Sequence, residues 1–552
     1  MKKTIKLFLA LTLVFALGAG CSAVTPPPER PAASPDARTG GAAAVDVRFD
    51  WLLDTSPVTL RLFEDWPGGV DDPSLLGIQK LQAATGVTLR RSYPTAWDGQ
   101  ELILMLASDS LPDIIVMENG AAWKSNFIQQ ARDAGKIWAY DDLIEQYAPH
   151  FKELAAPEYF EMFKSDDGKT YEYVNAIRTS LYSQKSEEYG VVGHPSAVLV
   201  RQDYYDESGA PDMTTPDGFI NGLKKMRDAH PNLIPLITPW DTWGSPLGNF
   251  GEQFGVAPYY AADGRIYDQL RSPAALETVL FINRLTREGL MPKESIIEGT
   301  DVQALVFNGE VISYLWGTLE EGKVPDDNPD TIYAFLKPLN TWKRYDTASI
   351  GGWKSILISK KCEYPDRAVR LLEFMASEEG HKTLYWGEEG PAPSEGGAMA
   401  DLAKGPHYYI DASGKPTHYA EYLAEKAADW DGAALKSGLR QICYGEDSYF
   451  RDVVTWNNDD PLTIKEKEIY GGKIEYVPEM SIRVQPDTPE EEIKIRVDQI
   501  KRDAVAGILF AETEAACRAA YDGMLQELEE AGLAALEDYY TAQFAELSAI
   551  YR

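Results

Sequence analysis

The chain has 552 residues, 44 % apolar and 25 % charged, an ordinary globular composition with room for several folding units and a large core. Its 86 acidic residues against 53 Lys and Arg give a formal charge of −33, and a surface of that sign repels phosphate backbones, so no nucleic-acid partner is expected. The same numbers exclude a disordered, collagen-like or multi-span membrane chain.

Lys2, Lys3 and Lys6 open the chain, and Ile5 to Leu17 is an almost unbroken apolar run. At about a dozen residues it is too short to span a bilayer and reads as a secretory signal over residues 1–20. It ends in Leu17-Gly18-Ala19-Gly20-Cys21, small residues followed at once by Cys, which resembles a bacterial lipoprotein processing site. The resemblance implies that Cys21 becomes the new N-terminus and carries lipid, palmitate included. It departs from the usual pattern in having Gly18 three places before the Cys, with the Leu one position earlier. Residues 21–44 are rich in Pro, Ala and Gly, including Pro26-Pro27-Pro28, and read as a flexible tether. No later stretch is apolar for the roughly 18 residues a spanning helix needs. Cys362, Cys443 and Cys517 can form at most one disulfide, and their spacing matches no zinc pattern.

The body alternates strands and helices. Val58–Phe63 is a β-type run, Leu75–Thr85 has helical spacing with Gly86 as its stop, Val87–Leu89 is a second strand and Glu101–Ala107 a helix. Pro112–Met117 is a continuous apolar strand, the mark of burial on both faces. This β-α-β-α-β order predicts an α/β sheet with helical crossovers. A second such region opens at the strand Ala197–Val200. Thr214-Thr215-Pro216-Asp217 then caps a helix over Gly218–Ala229, and Asn232–Ile237 is extended. Helices follow over Pro273–Glu288 and Val302–Asn308, strands over Val311–Leu315 and Ser355–Ile358, and a helix over Arg367–Ser377. The last fifty residues are strongly helical, with Pro489-Glu490-Glu491-Glu492 as a solvated helix start.

Several of these segments together resemble the extracellular solute-binding proteins (family 1) of carbohydrate ABC transporters, in particular their long lipoprotein type of Firmicutes. Asp109-Ser110-Leu111-Pro112-Asp113-Ile114-Ile115-Val116 is similar to the family's LPDI strand. Val200-Arg201-Gln202-Asp203-Tyr204-Tyr205, Phe307-Asn308-Gly309-Glu310-Val311 and Trp386-Gly387-Glu388-Glu389-Gly390 resemble further family segments. So do Ile358-Ser359-Lys360-Lys361-Cys362 with the helix after it and the tail from Leu528 to Arg552. They occur in family order from Cys21 to the last residue. The resemblance implies a type II periplasmic-binding-protein-like α/β fold, with central sheets flanked by helices and a ligand cleft between two lobes. The expected N-terminal lobe is 45–165 plus about 305–385, and the C-terminal lobe about 170–300 plus 390–552. The family often has an Asp-rich calcium loop after the second-lobe helix. Here Asp228-Ala229-His230-Pro231-Asn232-Leu233 lacks the run of oxygen ligands, so no calcium is expected there and no metal or cofactor elsewhere. Glu388-Glu389-Gly390 continues as Pro391-Ala392-Pro393 instead of the family's His-Tyr, which predicts a different loop shape.

In open α/β sheets ligands lie beyond the carboxyl ends of strands, so residues following strands are the candidates. These are Glu64, Asp65 and Trp66 after the first strand; Glu118 and Asn119, with Trp123 nearby, after the strand ending at Met117; Trp240, Asp241 and Trp243 after Thr238; Trp316 after Leu315; and Trp353 just before Ser355. Each group joins a ring to a polar or small residue. That is what a sugar requires: an aromatic face for its C–H surface and carboxylates or amides for its hydroxyls. Most tryptophans of so long a chain pack in cores, and strand-end position singles these out. Asp113 reads as structural and Asp203 as a cap of the next helix.

No Gly-x-Ser-x-Gly, His-Glu-x-x-His, Walker loop or Gly-x-Gly-x-x-Gly after a strand is present, and the six His are scattered without ligand spacing. The expectation is therefore a non-enzyme. It is a monomeric lipid-anchored binding protein on the extracellular face of the cell membrane, delivering a sugar, more readily an oligosaccharide, to ABC-transporter permease subunits. The alternatives are the same fold binding a non-sugar solute such as a peptide or an amine, and a surface-anchored glycoside hydrolase whose acid pair is hidden among the 86 carboxylates.

Overall fold

The computed structural model describes residues 49–65, 71–96, 99–118, 124–154, 160, 163–175, 197–238, 246–293, 302–315, 325, 327–348, 354–402, 404–412, 414, 416–422, 439, 465, 468–470, 474–478, 484 and 488–550. The chain divides into Met1–Asp46 and a body, Val47–Arg552. The signal, the tether and Cys21 lie outside the described residues. Among the described residues no helix is long and apolar enough to cross a membrane.

The strands run β1 (Val58–Glu64), β2 (Val87–Ser92), β3 (Ile114–Glu118), β4 (Tyr173–Val174), β5 (Val198–Arg201), β6 (Ile234–Ile237), β7 (Tyr260–Ala262), β8 (Arg265–Tyr267), β9 (Val311–Leu315), β10 (Tyr333–Phe335), β11 (Arg344–Ala348), β12 (Lys354–Ile358), β13 (Tyr408–Ile410), β14 (Pro416–His418) and β15 (Ile474–Pro478). Two sheets dominate. The first has the order β2-β1-β3-β12-β4, and the second β10-β5-β9-β6. Among the described residues there are also three two-stranded pairs, β7-β8, β11-β15 and β13-β14.

In the first sheet β1 lies parallel to β2 and β3, while β12 runs antiparallel to both β3 and β4. Strand periodicity sends Leu60, Leu62, Ile114, Val116, Ile356 and Ile358 into one core, and Phe63, Ile115, Met117 and Leu357 into a second on the opposite face. The unbroken apolar run at β3 is thus a strand buried on both faces, as its sequence predicts. The helix Leu76–Thr85 stops where expected, at Gly86 with φ +72°, a left-handed position where a Cβ would strike the Thr55 carbonyl. The helix Pro365–Ala376 covers the first core with Ala368, Leu371, Leu372 and Met375.

The second sheet repeats the scheme. Val198, Val200, Leu236 and Ile312 face one core; Leu199, Ile237, Val311 and Tyr333 face another. The helices Pro216–Ala229 and Pro273–Arg287 pack into the former, as do the C-terminal helices Pro489–Leu509, Glu514–Glu530 and Leu533–Ile550 through Val497, Ile508, Tyr521, Leu528 and Leu533. Thr215 caps the first of these by accepting the Gly218 N–H, with Pro216 at the first helical position. Thr488 likewise accepts the Glu491 N–H, so the acidic run there is a helix start as predicted.

The division of the chain between the sheets differs from the expected lobe boundaries. Residues 305–385 do not all join the first sheet. β9 pairs with β5 and β6, and β10 with β5, so the chain returns to the first sheet only at β12. β4 belongs to the first sheet although it follows residue 170, and Tyr408 and Leu439 pack in the first core although they follow residue 390. Local periodicity specifies a strand and is silent on which sheet hydrogen-bonds it. Asp203 also differs from its expected role. It sits in the first turn of the helix Gln202–Glu207, and its carboxylate binds the Arg201 guanidinium through Nε at 3.1 Å and Nη2 at 2.7 Å. Asp113 is structural as read, accepting the Arg61 backbone N–H at 2.7 Å and pairing with its guanidinium at 3.0 Å. Cys362 and Cys517 are free thiols in different cores; burial pushes the first up to about 12 and the second to about 11. Cys443 lies outside the described residues.

Candidate functional site

The carboxyl ends of β1 and β3 and the start of β12 meet at one edge of the first sheet, with Glu64 opposite Val116 and Glu118 opposite Lys354. That edge is charged and dry. Lys354 Nζ pairs with Glu64 Oε1, and the two side chains are only 5 % and 2 % exposed. Lys124, at the start of the helix Lys124–Asp133, reaches Glu172 Oε2 at 3.0 Å, and the Ser355 hydroxyl donates to the same oxygen at 2.6 Å. Asn175 clamps the backbone of Lys354 from both sides, its Oδ1 accepting the Lys354 N–H and its own N–H donating to the Lys354 carbonyl, each at 3.0 Å. Asp65 is held by its N–H on the Val116 carbonyl at 2.8 Å, and its carboxylate is buried. Buried charges persist only when paired, and the alternation of Glu64, Lys354, Glu172 and Lys124 supplies that pairing. The result is a rigid polar floor at the sheet position where α/β folds receive ligands.

At the corresponding edge of the second sheet the described residues make a neutral contact. β6 and β9 are parallel, so Ile237 and Leu315 end on the same side. Thr238, fully buried, follows β6, and its Oγ1 accepts from Asn249 Nδ2 at 2.7 Å. Asn249 lies on the helix Pro246–Phe254, whose Gly248, Gly251 and Glu252 line a cavity of about 200 Å³ with Val256, Pro258, Gln269 and Tyr345.

Of the residues singled out in the sequence, Glu64 and Asp65 stand in the charged edge. Glu118 ends β3 opposite Lys354. Trp66, Asn119, Trp123, Trp240, Asp241, Trp243, Trp316 and Trp353 lie outside the described residues. Among the tryptophans that are described, Trp51, Trp342 and Trp386 pack in cores. Sequence reasoning missed Lys124, Glu172, Asn175 and Lys354. The one available signal was a lysine opening an otherwise apolar strand at Lys354.

No protein-family model matches the chain, and no curated protein matches it by sequence. Solved structures do. FusA, an ABC-transporter substrate-binding protein of S. pneumoniae solved as an EF-hand mutant in complex with fructo-nystose, matches with a TM-score of 0.66 at 18 % identity, over 89 % of this chain and 100 % of its own. The alginate-binding protein AlgQ2, in its crystal structure without calcium ion, matches with a TM-score of 0.64 at 17 % identity, over 89 % and 98 %. An ABC-transporter-associated solute-binding protein from Bifidobacterium longum infantis, described as HMO-binding, matches at 0.58 and 15 % identity, over 89 % and 99 %. These likenesses define the class of fold. The chain has the two-lobe α/β fold of solute-binding proteins, as its sequence predicts.

Proposed function

We propose that the chain is an extracellular binding protein that captures a sugar or oligosaccharide and delivers it to the permease subunits of an ABC transporter, anchored to the membrane through lipid on Cys21. The observation that supports this reading most directly is the preorganised polar edge of Glu64, Asp65, Lys354, Glu172 and Lys124 at the carboxyl end of the first sheet. It stands on a fold whose solved relatives bind carbohydrates. In this reading Glu64 and Lys354 fix the edge, and Asp65 accepts from sugar hydroxyls. Glu118, Asn119 and the ring-bearing stretches at Trp66, Trp240, Asp241, Trp243, Trp316 and Trp353 supply the remaining contacts. The protein performs capture without turnover.

The test is a thermal-shift screen of the purified protein against plant and bacterial oligosaccharides, with the glycan recovered afterwards. Binding to the native state raises the melting temperature by mass action. The expected result is a shift with one glycan class and intact glycan, weakened in Asp65→Asn by about 1.5–3 kcal/mol, the worth of a hydrogen bond to a charged group. Cleaved glycan would establish a hydrolase. No shift with any sugar would move the assignment to another solute.

A further inference from the structure

The body's first turn, Asp50–Leu52, is tied down by side chains far away in sequence. Glu373, fully buried on the helix Pro365–Ala376, accepts the Asp50 N–H at 3.0 Å through Oε1 and the Trp51 N–H at 2.8 Å through Oε2. Asp50, also buried, accepts the His150 N–H at 2.8 Å through Oδ2, and its Oδ1 lies 3.0 Å from His150 Nδ1. One ligand atom from each of Asp50, His150 and Glu373 falls within 4.8 Å of the others.

The charge at this place is out of balance. Two carboxylates stand together in the interior, and among the described residues no Lys or Arg nitrogen comes within 4.0 Å of either. Among the described residues the His150 imidazole, 37 % exposed, is the one basic side chain paired with them. Its Nδ1 is shielded from solvent, yet the 3.0 Å approach to Asp50 falls outside hydrogen-bond geometry. Each carboxylate oxygen that already accepts an N–H keeps a second lone pair, and those N–H groups are the outer partners that orient metal-binding carboxylates.

We propose that Asp50, His150 and Glu373 form a structural site for a divalent transition-metal ion that staples the first turn of the body to the first core. One imidazole with two carboxylates suits Zn²⁺ and its neighbours, whereas Ca²⁺ takes six to eight oxygens and Mg²⁺ keeps its waters. Three protein ligands leave a fourth position for water on the exposed side of His150. The ion would hold Asp50 beside Trp51, whose ring meets Phe374 edge-on at 5.0 Å. The site is independent of the ligand-binding edge, so it stands or falls apart from the proposed function.

The test uses the full chain, stripped with chelator and titrated with Zn²⁺ and with Co²⁺. Expected are one ion per chain by calorimetry, a melting temperature several degrees higher, and a Co²⁺ ligand-field absorption band. All three should be lost in His150→Ala and retained in His230→Ala, whose imidazole pairs with Glu207. His150 is the residue to replace because it is partly exposed; Glu373→Gln also removes the acceptor of one of two buried N–H groups and risks misfolding. Absence of saturable binding, binding unchanged in His150→Ala, or equal stabilisation by Ca²⁺ would overturn the proposal.

Discussion

The two sheets have the same sandwich construction and differ at their edges. The first ends in ion pairs sealed from water, Glu64 with Lys354 and Glu172 with Lys124. The second ends in a neutral hydroxyl–amide contact between Thr238 and Asn249. Their helices differ as well. In the first region Leu76–Thr85, Gln100–Ala107, Tyr140–Tyr147 and Pro365–Ala376 begin without a side-chain cap. In the second region Thr215, Ser272, Thr488 and Thr513 each close a helix start. Nonlocal charge acts in both regions, but at the sheet edge it belongs to the first, while the long helices of the second are closed by local hydrogen bonds. The two should fail under different substitutions.

The largest difference is expected at Lys354. Removing one member of a buried pair strands the other, so Lys354→Met should destabilise the first region by about 3–5 kcal/mol. Adding Glu64→Gln should recover a large part of that loss, because the stranded charge is gone. Denaturant unfolding followed separately by probes in the two regions measures this; equal loss in both would show that the regions do not unfold as separate units.

The second region has a buried cation of its own, at the last residue of β5. Arg201 is fully buried, forked onto Asp203, bonded to Asp327 Oδ1 at 2.9 Å, and stacked 4.2 Å above the Tyr204 ring. Lysine keeps the charge and loses the fork, so Arg201→Lys should cost about 1.5–3 kcal/mol, confined to the second region. The same pair predicts a pH dependence. Burial alone would raise the Asp203 carboxyl, but the Arg201 fork and the Asn328 amide together hold it below the usual carboxylate range. A depressed acid contributes its full stability above its unfolded value near 4 and loses it as pH falls through the lower folded value. Acid titration should therefore weaken the second region progressively below about pH 4, and Asp203→Asn should flatten that limb.

Much of the fold was legible because β5, β9 and β12 are short apolar runs bounded by breakers, and because Thr215-Pro216 and Gly86 mark helix ends by local chemistry. Sheet membership was not legible: β9 is read equally well as a strand of either sheet, the three-residue β10 was not read as a strand at all, and only long-range pairing decides. The candidate site divides in the same way. Glu64 and Asp65 follow a strand and were found by that rule. Lys354 lies 290 residues from its partner Glu64, and Ser355 lies 183 from Glu172, separations at which no spacing rule operates. His150 shows the limit most plainly. The histidines have no ligand spacing in sequence, yet folding brings His150 to Asp50, 100 residues earlier, and both to Glu373.

The smallest effect tests the other half of the comparison. The Thr215 hydroxyl accepts the Gly218 N–H at 3.1 Å, satisfying one of the donors that a helix start leaves open, and Pro216 has no N–H to satisfy. Thr215→Ala should cost about 1 kcal/mol, and Thr215→Ser should recover most of it, since the oxygen and not the methyl does the capping. The uncapped helix at Leu76 offers the converse. Leu75, in extended conformation at its N-cap and only partly buried, is the place where Ser should add stability if local capping is independent of the sheet beneath. The gain is expected to be smaller than the Thr215→Ala loss because the Leu75 side chain also packs against the first core. Thermal unfolding of the two variants, read in their own regions, decides whether the helix Leu76–Thr85 lacks a cap because nonlocal packing already positions it or because a cap there is incompatible with that packing. A gain from Leu75→Ser supports the former, and a loss greater than about 1 kcal/mol the latter.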